Sequence, residues 1–104
     1  MLIVNTDTIP GMHIKQTLGV VTGNTIRAKH VGRDIMAGFK QLVGGELKGY
    51  TEMMEDSRNQ ALERLIAKAT EMGANAVVNL RFSTSQVMPQ AAEVLAYGTA
   101  VIVE

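Results

Sequence analysis

The sequence predicts an α+β domain with two layers, an antiparallel sheet covered on one face by two helices. Three observations predict it. Apolar and polar residues alternate over residues 13–22 and again beyond Asn75, the period of a half-buried strand. Between residues 31 and 72 the apolar positions fall at helical spacing. Strand-like and helix-like stretches are segregated along the chain, which favours an antiparallel sheet over parallel β-α-β units.

Residues 2–4 are apolar and β-prone, and Asp7-Thr8-Ile9-Pro10-Gly11 reads as a turn, with Pro fixing φ and Gly open to positive φ. In residues 13–22, Ile14, Leu18 and Val20 are assigned to one face and His13, Lys15 and Thr17 to the other, with Gly23-Asn24 as the stop. Val31, Ile35, Phe39 and Leu42 form the stripe of a first helix over residues 31–43, widened by Met36 and Val43, and Gly44-Gly45 ends it. A second helix runs from about Tyr50 to Met72, roughly 34 Å long. Its stripe is Met54, Ala61, Leu65, Ile66, Ala69 and Met72, and Gly73 closes it. Glu52, Glu55 and Asp56 sit in its early turns, where the helix dipole favours negative charge.

After Asn75, Ala76, Val78, Leu80 and Phe82 alternate with Asn79, Arg81 and Ser83. Met88-Pro89-Gln90 is the expected turn and residues 92–103 the last strand. The order is ββααββ, an arrangement like that of a dodecin subunit. No repeat or linker divides residues 1–104, so a single domain is expected.

Composition narrows the function classes. Hydrophobic residues make up 46% of the chain and aromatics 4%, with no Trp and seven Met, so the core is aliphatic. Ten basic residues balance ten acidic ones, which argues against a nucleic-acid partner. Without cysteine, disulfides, thiolate metal sites and Cys nucleophiles are excluded. No stretch has the basic start of a signal peptide or the ~20 apolar residues of a membrane span. A soluble cytoplasmic protein without a membrane partner is the expectation.

The last strand points to self-association. Val94, Ala96, Gly98, Ala100 and Ile102 lie on one face, and Leu95, Tyr97, Thr99, Val101 and Val103 on the other. Both faces are largely apolar, as in a strand covered on each side. The two helices supply one cover, and a neighbouring subunit meeting Leu95, Tyr97 and Val101 is the expected second. The plainer alternative is that these three are half-exposed surface residues.

Several segments together resemble the YbjQ-like family. They are Gly19-Val20-Val21-Thr22-Gly23, Arg33-Asp34 with Ala37, Val43-Gly44-Gly45 followed by Tyr50, Gly73-Ala74-Asn75-Ala76-Val77-Val78, and Gly98-Thr99-Ala100-Val101. They occur in order along essentially the whole chain. The resemblance implies a two-layer α/β fold, a homopentamer and a label of heavy-metal binding.

A transition-metal site needs several His, Cys or carboxylate ligands converging on one point. This chain offers two His, His13 and His30, and no Cys. Met36, Met53, Met54 and Met72 lie in predicted helices, where core packing explains them. Five copies of His13 or of a carboxylate around a pentamer axis are the arrangement by which a divalent metal would be held. Arg27, Lys29, His30 and Arg33 cluster at the start of the first helix, where free amides and basic side chains suit a small anionic ligand. Asp34 sits in the same turn, and a salt-bridged or solvated helix start is the plainer reading. The segment Val43-Gly44-Gly45-Glu46-Leu47-Lys48-Gly49 lacks the order of a phosphate loop and reads as a helix-to-helix turn.

No Ser-His-Asp ordering or nucleophile elbow is found. Arg33, Asp34 and Tyr50 can line a pocket between subunits or form a structural ion pair with a tyrosine hydroxyl beside it. The leading expectation is a homo-oligomeric, pentameric binding or scaffolding domain, with a small ligand held by Arg27, His30, Arg33, Asp34 and Tyr50. A metal-binding protein is the second reading, and an enzyme using Arg33, Asp34 and Tyr50 the third.

Overall fold

The computed structural model describes residues 1–27, 42–43, 46–88 and 91–104. Its elements are β1 (Leu2–Ile3), β2 (Ile14–Arg27), β3 (Leu42–Val43), β4 (Glu46–Leu47), α1 (Lys48–Glu71), β5 (Ala76–Met88) and β6 (Ala91–Val103). The main sheet has the order β1-β5-β6-β2, and β3 and β4 form a separate two-stranded ladder. The fold is α+β, with α1 lying over β2 and β6. The sheet is mixed rather than antiparallel, because β1 runs parallel to β5 while β5, β6 and β2 are antiparallel in turn.

The predicted first helix falls on residues outside those described, except at its end. There Leu42 and Val43 form β3, paired with Leu47 and Glu46. The segment expected to turn from helix to helix therefore contains strand pairing that leads directly into α1. β-branched and leucine side chains fit a short ladder as readily as the last turn of a helix, and four residues carry too little periodicity to separate the two.

The predicted stop at Gly23 is also corrected, since β2 continues to Arg27. Gly23 pairs with Ala96 beneath α1. A Cβ at Gly23 would overlap the Ala61 carbonyl oxygen and the Leu65 amide nitrogen. The glycine serves the close approach of helix and strand rather than a chain reversal.

Two bulges invert the facing of side chains. One lies between Thr17 and Gly19, where Gly19 has φ 126°. It turns Leu18 towards α1 and leaves Val20 on the opposite face, 74% exposed. The other lies between Val78 and Arg81, where Asn79 has φ 56°. Ala76 and Val78 therefore belong to the outer face and Leu80 to the helix-side core. A strict alternation placed each set on one face, and one inserted residue is enough to reverse it.

Helix α1 and its closure follow the sequence closely. Ala61, Leu65 and Ala69 are fully buried against Val21, Val77, Val94, Ala96 and Ala100. Gly73 takes φ 89°, and the Ala74 amide donates to the Ala69 carbonyl, 3.0 Å, in a left-handed glycine cap. Met72, assigned to the stripe, is exposed instead, just past the last residue of α1. Ser57 is buried too. Its hydroxyl donates to the Met53 carbonyl, 2.9 Å, while Thr25 Oγ1 donates to the Ser57 carbonyl, 3.2 Å. These bonds satisfy the polar atoms that the helix presses onto the sheet.

The N-terminal segment forms a second cover. The Val4 amide donates to the Val77 carbonyl, 3.0 Å, the Leu80 amide to the Val4 carbonyl, 3.1 Å, and the Asn79 amide to the Thr6 carbonyl, 2.9 Å. Ile9-Pro10-Gly11-Met12 turns as expected, with Gly11 at φ 82° and the Met12 amide donating to the Ile9 carbonyl, 3.0 Å. Val4 and Ile9 thereby pack onto Ala76, Val78, Val101 and Val103.

Candidate subunit and ligand interface

The outer face of the sheet is built in rows set by strand register. Val20 pairs with Thr99, Thr22 with Tyr97, Asn24 with Leu95 and Ile26 with Glu93. On the other side of β6, Arg81 stands opposite Tyr97 and Ser83 opposite Leu95. Paired residues share a face, so Val20, Ile26, Leu95, Tyr97, Arg81 and Ser83 present together. Val20 and Ile26 are 74% and 57% exposed, Tyr97 38%, and Leu95 is half-buried.

Polar contacts fix the frame of this surface. Asn24 Nδ2 donates to Glu93 Oε2, 3.0 Å, and Arg81 Nη1 donates to the Asn5 and Leu80 carbonyls at 2.8 and 3.0 Å. Arg81 thus ties the N-terminal segment to the row that holds Tyr97. On the helix side, Arg64 Nη1 donates to the Asn24 carbonyl, 2.6 Å.

Val101 does not belong to this exposed surface. It is 1% exposed, closed over by Val4 and Ile9 of the same chain. The expectation that only a neighbouring subunit could cover the second face of β6 is corrected at this end of the strand. The first residues were assigned no role beyond a β-prone start, and their covering role depends on long-range pairing that periodicity does not report.

Of the expected ligand residues, Arg27 is the last residue of β2 and Tyr50 lies in the first turn of α1. Ala61 and Leu65 sit over Gly23, and Ser57 over Thr25. Helix and strand therefore run in opposite senses, which brings the backbones of Tyr50 and Arg27 to the same end of the two layers. His30, Arg33 and Asp34 lie outside the described residues.

His13 is exposed at the far end of β2. Its amide donates to the Glu104 carbonyl, 2.9 Å, and the Glu104 amide donates back, 3.0 Å. Lys15 Nζ stands 3.7 Å from Glu104 Oε2. One imidazole, one carboxylate and an ammonium are a poor donor set for a soft cation, because the ammonium competes for the carboxylate. Among the described residues no three His, Asp or Glu side chains gather in one place. The described part of a single chain does not fit a heavy-metal centre.

A family model for YbjQ, described as "Putative heavy-metal-binding", matches residues 1–104. The chain belongs to the YbjQ family. It is 61% identical over its whole length to a UPF0145 protein of Hahella chejuensis, all of which is covered. A UPF0145 protein of Archaeoglobus fulgidus is 58% identical over 97% of this chain and 94% of its own length. One of Thermotoga maritima is 55% identical over 100% of this chain and 98% of its own. Among solved structures, a DUF74-family protein of unknown function from Pediococcus pentosaceus is similar to this YbjQ-family chain, with a TM-score of 0.67. That likeness covers 100% of this chain and 98% of the other at 20% identity, and it bears on the fold alone. No helix among the described residues is long and apolar enough to cross a membrane.

Proposed function

We propose that this YbjQ-family domain is a homo-oligomeric, cytoplasmic binding or scaffolding module, pentameric as the family resemblance implies. One observation carries the reading. Residues 81–87 of β5 are all exposed, although alternate side chains of a strand point to opposite faces. Uncovered on both faces by the described residues, with Phe82 and Val87 in it, this stretch of strand fits a subunit that waits for a neighbour. Leu95 and Tyr97 remain the proposed contact residues on the adjoining outer face.

A small anionic ligand is assigned to the subunit boundary, held by Arg27, His30, Arg33, Asp34 and Tyr50. The shared location of Arg27 and Tyr50 at one end of the layers supports this grouping. A first helix over residues 31–41, which would complete the two-helix order, belongs to the same reading and rests on the spacing of Val31, Ile35 and Phe39.

The test is native mass spectrometry of protein purified without tag or chelator. The expected spectrum is a single integer multiple of the 11.2 kDa chain. A monomer at micromolar concentration overturns the proposal. Retained mass on the oligomer would identify the ligand by weight.

Metal binding is the second reading, favoured by the family description. It requires ligands brought together across subunits, with His13 or His30 among them. Loss of stoichiometric zinc or copper binding in His13→Ala, His30→Ala double-variant protein supports it, and unchanged binding removes it.

A further inference from the structure

Building on the proposed homo-oligomer, we infer that the main sheet continues from one copy into the next. The free edge of β2 pairs in parallel with the free edge of residues 81–88 of β5 on a second copy.

Both edges are open among the described residues. β2 is the terminal strand of the sheet, 14 residues long, and among the described residues it has a ladder partner only in β6, with Arg64 Nη1 on the Asn24 carbonyl. At the opposite side β1 pairs with β5 only at Ala76 and Val77. The N-terminal segment then occupies the β5 edge as far as Leu80 and leaves it. Eight residues of β5 remain, about 26 Å of strand.

Apart from the bulge at Gly19 and the Arg64 guanidinium on the Asn24 carbonyl, both edges lack charge and proline over most of their length. Residues 16–26 contain no charged residue and no proline, and neither do residues 82–88. Natural edge strands that stay unpaired are normally guarded by an inward charge, a proline or a covering loop. Val20 and Ile26 beside one edge, and Phe82 and Val87 on the other, supply apolar surface next to the backbone donors.

The partner is a second copy because one joint satisfies both edges at once. An added peptide strand would complete one edge and leave the other open. Pairing β2 with β2 about a two-fold axis would do the same. The joint is parallel because β2 and β5 each run antiparallel to β6. The two edges lie on opposite sides of one sheet, so the contact is head-to-tail, the kind that closes into a ring when the rotation permits.

The chain has no cysteine, which allows introduced thiols to report the joint. Val20→Cys and Ile26→Cys are each co-expressed with Ser83→Cys or Ser85→Cys and treated with a short thiol cross-linker. These positions all lie on the outer face and are spread along both strands, so a register offset of a few residues leaves one combination in reach. The expected result is a covalent dimer from at least one β2–β5 combination and none from any single variant alone. A dimer from a β2 variant or a β5 variant alone overturns the head-to-tail joint in favour of two-fold pairing. An oligomer by native mass with no cross-link in any combination overturns edge pairing and leaves the oligomer standing. A monomer by native mass removes both.

Discussion

Gly23 of β2 lies directly beneath Ala61 of α1, with no room between them for a methyl group. Both neighbouring atoms on the helix, the Ala61 carbonyl oxygen and the Leu65 amide nitrogen, are backbone and cannot swing aside. Ala96, paired with Gly23, is fully buried at the same place. Gly23→Ala must lift the helix off the sheet. A loss of about 3 kcal/mol is expected, the upper end for overpacking, read as a lowered midpoint in urea denaturation.

Gly19 offers a contrast of mechanism. A Cβ there meets nothing within 4 Å, but φ is 126°. Gly19→Ala therefore costs backbone strain alone, about 1–3 kcal/mol. Circular dichroism melts should show a smaller drop than for Gly23→Ala, and the helix–sheet packing signals in NMR should be retained.

Asn75 joins the end of α1 to the C-terminal strand. Its Nδ2 donates to the Val103 carbonyl, 2.9 Å, and its Oδ1 accepts from the Val103 amide, 2.8 Å. Asn75→Ala removes both bonds and should lower stability by about 2 kcal/mol, at about 1 kcal/mol for each. Asn75→Asp keeps the acceptor and sets a carboxylate against the Val103 carbonyl, so at neutral pH it should be no better than alanine. An aspartate variant as stable as the parent would show that the Nδ2 bond contributes little.

Tyr97 and Val101 share a face of β6 but not an environment. Tyr97 is exposed, whereas Val101 sits among Ala76, Val78, Val103, Val4 and Ile9. Tyr97→Glu is expected to lower the native mass while leaving the far-ultraviolet circular dichroism of each chain unchanged. Val101→Glu places a carboxylate in an apolar pocket and should cost about 4 kcal/mol or more, seen as loss of the cooperative melt. Dissociation of a well-folded Val101→Glu chain would contradict the covering role of the N-terminal segment.

His13 is held by its backbone to Glu104 and leaves its ring in solvent. His13→Ala should therefore change the melting temperature little, by the equivalent of about 0.5 kcal/mol or less. A larger loss would mean that the imidazole contacts something beyond one chain. Repeating the melt at low and high protein concentration separates that case from a local effect.

Local signals in the sequence were enough to determine the α+β class, helix α1 and its Gly73 cap, the Pro10-Gly11 turn and the existence of β5 and β6. Each depends on residues within a few positions of one another, such as Ala61, Leu65 and Ala69 at helical spacing or Gly73 just past the last turn. The tertiary structure decided what depends on distant partners. Gly23 reads as a stop until α1 is laid across it. Leu18 and Val20 share a parity that a bulge at Gly19 undoes. Val101 reads as a contact for a neighbouring subunit until residues 4 and 9 close over it. The expected ligand group was legible only as residue types, and the structure relates two of its members, Arg27 and Tyr50, through the opposed course of β2 and α1. Periodicity records which way a side chain faces relative to its neighbours in sequence, but what covers that face is fixed by contacts tens of residues away.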